Sequence, residues 1–513
     1  MRYVSTRGSA PALDFEGATL AGLASDGGLY LPAIWPRFTP DEIAAMRGLP
    51  YAELAARVMQ PFVGDTLAPE RLLELCRQAY GRFSHAAVTP LVQLDERHWL
   101  LELFHGPTLA FKDVALQLLG LLFEEFLARR DERLTIVGAT SGDTGSAAID
   151  AVAGRERIDI FMLHPKGRVS EVQRRQMTTV KAPNVHNIAL EGASFDDAQA
   201  MVKRMFGDAE MTGRFRISAV NSINWARLMA QVVYYFAAAL QLGGPERKIA
   251  FSVPTGNFGD VFAGHVAARM GLPIERLIVA TNVNDILHRA LADGDYSTGT
   301  VTPTAAPSMD IQVSSNFERL LFDAGGRDGK ALAEQMHGFE ANKAMRLTNS
   351  QREGASALFT SARADADDMS RAMRWAFEAC DGEVIDPHTA IGLHAARAAD
   401  LPGGGRPLRQ SRAPQGLRLG ADEAVGAVAL ELAAVPAVDE AVVGPGAAFQ
   451  HDGLLGQAGH GAARFSRRGA EARRVVAPFI FVIPAKAGIP RPSGAAPEEK
   501  RGSRFRGGDE ERW

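Results

Sequence analysis

The chain has 513 residues, 46% of them apolar, a formal net charge of −4 and two cysteines, Cys76 and Cys380. That length allows two or three domains around a large core, and the near-neutral charge argues against a nucleic-acid partner. Two cysteines without CxxC spacing exclude a disulfide scaffold and a cysteine-based zinc site, and no run approaches the roughly 18 apolar residues of a membrane span. Residues 1–10 lack the apolar core and cleavage site of a signal peptide, so a reducing cytoplasm is the expected compartment, and no metal is expected.

In chain order, residues 1–95 read as a mostly helical domain, with helical signals over Thr39–Met46 and Pro50–Val58. The pattern then turns to repeated strand, turn and helix. Apolar runs at Leu134–Val137, Ile158–Leu163, Val185–Leu190, Ile249–Val253 and Leu277–Ala280 read as strands. Helical periodicity fills the gaps: Ala115, Leu118, Leu119, Leu122 and Phe126 form one apolar face, with Arg129 and Arg130 where a helix C-terminus favours positive charge. Ser194 with Asp197 three residues on forms a capping-box pattern. The alternation predicts an α/β core over 96–400 built on open, mainly parallel sheets, whose ligands sit in loops after the strands. Beyond residue 400 the chain contains no Thr, Asn, Met, Tyr or Cys, and only Ala421–Ala434 and the apolar run Val475–Ile483 show regular patterning. Residues 401–513 therefore read as an irregular, largely disordered tail.

Five segments carry candidate chemistry. In His105–Asp113 a Gly-Pro turn leads to Lys112 at a predicted helix start; the dipole and Phe111 should lower its pKa, as an amine nucleophile requires. A solvated lysine beside a turn is the plainer alternative. In Ala139–Gly145, the hydroxyls and glycines of Thr140, Ser141, Gly142 and Thr144 at a helix start offer an anion cradle, or only an N-cap. In Asn221–Arg227, polar Asn221 and Ser222 precede a helix predicted over Leu228–Leu240, and Arg227 suits a phosphate, or simply solvent. In Pro254–Asp260, Gly256 and Gly259 let backbone approach a phosphate; no Gly-Lys-Ser/Thr follows, so this is not a Walker loop. In Ile385–Gly392, Asp-Pro fixes a turn, and His388 reads as structural, without a catalytic role.

Singly ambiguous, these segments in their order and spacing resemble threonine synthase of the longer class with an extra N-terminal domain. Tyr3–Gly8, Asp26–Pro32 and Ser308–Arg319 match it too, and the resemblance covers about residues 1–400. It implies a type II pyridoxal 5′-phosphate (PLP) fold, with two α/β lobes enclosing the cofactor. Lys112 would bond the cofactor and shuttle protons. Gly256, Asn257, Phe258 and Gly259 would cradle its phosphate, and Asp143 would lie near its hydroxyl. Thr140, Ser141, Gly142 and Thr144 would hold the substrate carboxylate, and Asn221, Ser222 and Arg227 the substrate phosphate. The implied reaction converts O-phosphohomoserine and water to threonine and phosphate, in a monomer or a homodimer.

The chain also departs from that family. The Ala-His-Pro-Ala-Lys-Phe-type segment, with the preceding Thr that contacts the PLP ring nitrogen, does not follow His394–Asp400. Instead Val482–Pro490 and Gly502–Asp509 look like a translated bacterial intergenic repeat, which points to a reading-frame shift near codon 400. Three alternatives therefore stand beside the main reading. One is another enzyme of the same fold, such as threonine dehydratase or cysteine synthase, which the Asn221–Arg227 segment and the N-terminal domain disfavour. The second is a catalytically impaired threonine-synthase-like protein that binds PLP or a phosphorylated ligand, and the third is an unstable translation product.

Overall fold

The computed structural model describes residues 1–140, 142–218, 222–399, 441–443 and 479–484. Strands appear where short apolar runs meet turn residues. Leu134–Ala139, Ile158–Pro165 and Val185–Leu190 lie side by side and parallel, flanked by Ile217–Ser218 on one edge and Ala441–Val443 on the other. This five-stranded sheet is wholly parallel, as the alternation of strands and helices requires.

The second sheet has six strands in the order Phe359–Arg363, Ile274–Thr281, Ile249–Pro254, Phe479–Pro484, Trp99–Glu102, Leu91–Gln93. Only the first three run parallel; the others pair antiparallel. It is therefore a mixed sheet rather than a mainly parallel one. Leu91–Gln93 and Trp99–Glu102 are joined by residues 94–98 alone, too short a connection for a parallel crossover. The tail differs from its expectation at two points, because Ala441–Val443 and Phe479–Pro484 each enter a sheet. The expected helix Ala421–Ala434 and the repeat-like residues after Pro484 lie outside the described residues.

Helix Asp113–Arg130 begins directly after Lys112. All five residues of its predicted apolar face are buried, but so are Val114, Leu116, Phe123 and Leu127. It is buried well beyond one face as far as Leu127, with Ala128, Arg129 and Arg130 exposed, which a one-face pattern did not convey. It packs on Pro69–Tyr80, Asp143–Val152 and Trp225–Gln241. Trp225–Gln241 also packs on Gly259–Arg269, so one buried helix supports the two helices that start at the lysine loop and at the Gly256–Gly259 turn.

The N-terminal region forms the expected helices, trimmed to Pro40–Ala44 behind a Thr39–Glu42 capping box and extended to Tyr51–Val63. A short ladder, Tyr3–Ser5 with Tyr30–Pro32, ties it together. Three matched motifs meet here. Thr6 Oγ1 donates to Glu318 at 2.6 Å, Arg7 pairs with Glu318 at 3.1 Å, and the buried Arg319 donates to Tyr30 O at 2.9 Å and Ile223 O at 2.6 Å. Asn224 caps helix Trp225–Gln241 and donates to Thr19 O at 2.8 Å. The N-terminal region thus braces the loop at 222–224 and the first turn of helix Phe317–Ala324. The capping box at Ser194 and Asp197 forms as read.

Candidate active site

Lys112 is nearly buried, and its Nζ donates to Asp143 Oδ2 at 3.2 Å. The loop before it is held from behind. Asp113 accepts from Thr108 N and Thr108 Oγ1, both at 2.8 Å, and Gln176 donates to Thr108 O at 2.9 Å. Gly106 is obligatory here: a Cβ would lie 2.4 Å from Asp113 Cβ. Burial pushes the Asp113 carboxyl up to about 7, against the opposing Thr108 bonds. Phe111 lies beneath the amine, its ring centroid 5.2 Å from Nζ.

Asp143 starts helix Asp143–Val152. The Lys112 ammonium holds its carboxyl below the usual range despite burial, and His388 adds to the effect. Its second oxygen accepts from Gln173 Nε2. The cradle expected from Thr140 to Thr144 is altered. Thr140 Oγ1 accepts from both Gly142 N and Gly145 N at 2.9 Å, so two of its amides are already satisfied internally. The first-turn amides of Asp143 and Thr144 are the groups the helix itself leaves over. Ser141 lies outside the described residues.

The Gly256–Gly259 turn is braced by neutral groups. Ser314 Oγ donates to Gly256 O at 2.7 Å, and Asn316 donates to Asn257 O from its backbone N at 3.1 Å and from Nδ2 at 3.0 Å. A trans peptide points its N–H opposite to its C=O. The amides of Asn257 and Phe258 therefore face away from these braces, at the start of helix Gly259–Arg269, which is the geometry of an anion cradle. Phe258 holds φ at 63° with its ring buried on Phe317 and Phe359. A Cβ on Gly256 would meet Ser308 O at 2.9 Å.

Asn316 Nδ2 also reaches Ser222 O at 3.2 Å, which brings Ser222 of the third candidate segment beside this turn. Arg227 is buried, and that burial pushes its guanidinium down to about 10. Among the described residues no carboxylate pairs with it, and no hydrogen bond joins it to Lys112, Asp143 or the turn. Asn221 lies outside the described residues.

Sequence reasoning gave no role to Gln173, Ser314 or Asn316, and read His388 as structural, in keeping with its Nδ1 contact to Asp386 at 2.9 Å. Asn316 and Ser314 lay within a matched motif. For His388 the available signal was an aspartate two residues ahead, placed to orient the ring.

A buried lysine at one helix start and an amide cradle at another are features that fit PLP, with its aldehyde and its phosphate. With two α/β sheets behind them, they define a PLP-dependent enzyme of type II fold. The family model described as "Pyridoxal-phosphate dependent enzyme" matches residues 83–362, and that described as "Threonine synthase N terminus" matches residues 2–80. Threonine synthase of Pseudomonas aeruginosa is 57% identical over 397 residues, covering 77% of this chain and 84% of that one. PLP-bound threonine synthase from Brucella melitensis superposes with a TM-score of 0.76 at 53% identity, covering 78% of this chain and 86% of that one. The Escherichia coli threonine synthase structure gives 0.65 at 31% identity, covering 78% and 86%. The chain belongs to the threonine synthase family, and its cofactor is pyridoxal phosphate. The impaired-binder alternative finds no support in these comparisons. Among the described residues no helix is long and apolar enough to cross a membrane, and no cluster of three His, Cys, Asp or Glu is placed to hold a metal.

Proposed function

We propose that this protein converts O-phosphohomoserine and water to threonine and phosphate, in the cytoplasm, with residues 1–95 bracing a catalytic core at 96–400. The observation that carries the reading is the Lys112–Asp143 pair, buried and joined through packed helices to the amide cradle at Asn257 and Phe258. In this reading Lys112 bonds the cofactor aldehyde, the Gly256–Gly259 amides hold its phosphate, and Asp143 lies near its hydroxyl. When bound, PLP stabilises negative charge at the substrate Cα. Lys112 then takes and returns the Cα proton. The Asp143 and Thr144 amides, with the Thr144 hydroxyl, receive the substrate carboxylate beside Thr140, Ser141 and Gly142. Arg227, a buried cation lacking a carboxylate partner among the described residues, suits the substrate phosphate together with Asn221 and Ser222.

The test is incubation of the PLP-loaded protein with O-phosphohomoserine while threonine and phosphate are both measured. Equal amounts of the two are expected, with a visible absorbance band at roughly 410–420 nm from the lysine-bound cofactor. Absence of phosphate release by a protein that shows the band would overturn the substrate assignment.

A further inference from the structure

Helix Gly259–Arg269, which opens at the anion cradle, carries a carboxylate in its first turn, Asp260. The first bond within this helix runs from Phe262 N to Phe258 O at 3.0 Å, so the amides from Phe258 to Val261 have no helical carbonyl to serve. An aspartate at the second helical position is drawn to the same positive end that attracts an anion. Turned toward those amides, its side chain would occupy the cradle and repel a phosphate.

The structure holds it the other way. Two consecutive residues of the buried helix Trp225–Gln241 reach it. Tyr234 Oη donates to Asp260 Oδ1 at 2.5 Å, and Tyr235 Oη lies 3.0 Å from both Asp260 Oδ1 and Asp260 O. Neighbouring residues on a helix project about 100° apart, yet both hydroxyls converge on one oxygen. A helical carbonyl points toward the helix C-terminus and the amide toward the N-terminus. One hydroxyl within reach of both oxygens therefore sets Oδ1 on the carbonyl side of its peptide, away from the cradle. The Tyr235 ring approaches from that same side. It lies over Gly264, one turn further along, where a Cβ would fall 2.8 Å from Cε1 and 3.0 Å from Cζ. Both tyrosines are fully buried, and Tyr235 packs edge-on against Phe251 with ring centroids 4.8 Å apart, so packing fixes where the hydroxyls point.

Resting on the reading of this turn as the cradle for the PLP phosphate, we propose that Tyr234 and Tyr235 are positioning residues: they hold the Asp260 carboxylate back along its own helix and keep the first-turn amides open for that phosphate. Their effect on the cofactor passes through Asp260, which without them turns onto the amides and competes.

The experiment uses the full-length chain freed of cofactor and measures, by equilibrium dialysis, the affinity for PLP and for pyridoxal, which lacks the phosphate. The ratio of the two isolates the phosphate contribution, because the bond to Lys112 is common to both. The buffer is mildly alkaline, where Asp260 is ionised: burial pushes its carboxyl up to about 6, against the opposing tyrosine bonds. In the double variant Tyr234→Phe with Tyr235→Phe, PLP affinity should fall about tenfold, the scale of one charge at a partly buried helix N-terminus. Pyridoxal affinity should stay at the wild-type value. Tyr235→Phe alone, which leaves the Tyr234 bond, should show a smaller loss in the same sense. Adding Asp260→Ala to the double variant should restore PLP affinity, since no carboxylate is left to restrain. An undiminished ratio in the double variant, an equal loss for pyridoxal, or a loss that Asp260→Ala does not reverse overturns the proposal. Asn316→Ala probes the reading beneath it. An unchanged ratio in that variant overturns the cradle itself, whereas a loss there with none in the tyrosine variants overturns this proposal alone.

Discussion

The lysine loop and the Gly256–Gly259 turn both open a buried helix, but they are held by opposite chemistry. Around Lys112 the braces are ionisable: Asp113 behind the loop, Asp143 in front of it. Around the turn they are neutral: a serine hydroxyl, an asparagine amide and two aromatic rings. The end of the site that moves protons is braced by groups that exchange them, while the turn that grips an anion is braced by groups that do not. A change of pH should therefore reach the first directly, and the second only through Asp260 in the first turn of its helix, whose carboxyl burial pushes up to about 6.

The sharpest separation of the two comes from Lys112→Ala. Threonine formation should fall by about a thousandfold or more, since both bonding to the cofactor and proton transfer are lost. Equilibrium dialysis should still find PLP retained through the turn. Complete loss of PLP binding in this variant would break the comparison. The converse variant is Asn316→Ala, which removes the side-chain bonds to Asn257 O and Ser222 O. PLP affinity should fall by about tenfold, from about 1–2 kcal/mol of lost bonding, while the Lys112 band stays at the same wavelength once the site is saturated. The smallest effect is on stability. The folded Asp113 carboxyl sits near 7, above its ordinary value of 3.8. The folded state therefore binds more protons between these values, and this group makes stability fall as pH rises through that window. The slope is at most about 1.4 kcal/mol per pH unit. Denaturant midpoints of Asp113→Asn between pH 5 and 7 should lack this decline; identical pH profiles for variant and wild type would remove Asp113 from the account.

Much of this was legible in the sequence because it was local. The five strand positions, the Ser194 capping box and the loops carrying Lys112 and Gly256 depend on nearby residues, and each formed where expected. What escaped was non-local. That Thr140 spends its hydroxyl on two cradle amides is a matter of loop geometry. The burial of helix Asp113–Arg130 beyond one face arises from several packed helices, and residue spacing shows only one face at a time. The role of Tyr3–Gly8 was legible as a match but not as a brace, because Glu318 lies more than three hundred positions away.

The strand Phe479–Pro484 sits between Trp99–Glu102 and Ile249–Pro254, on chain synthesised long after either neighbour. During translation both neighbours emerge with a raw edge facing the same vacant slot. Such edges invite pairing with a second chain, and contacts of so long a sequence span form late. A ribosome bearing this protein has thus built the Lys112 loop well before the sheet behind it is closed. In pulse-labelled refolding, the amides of Trp99–Glu102 should gain protection after those of Leu134–Ala139; the reverse order would show that the slot does not wait for its last occupant.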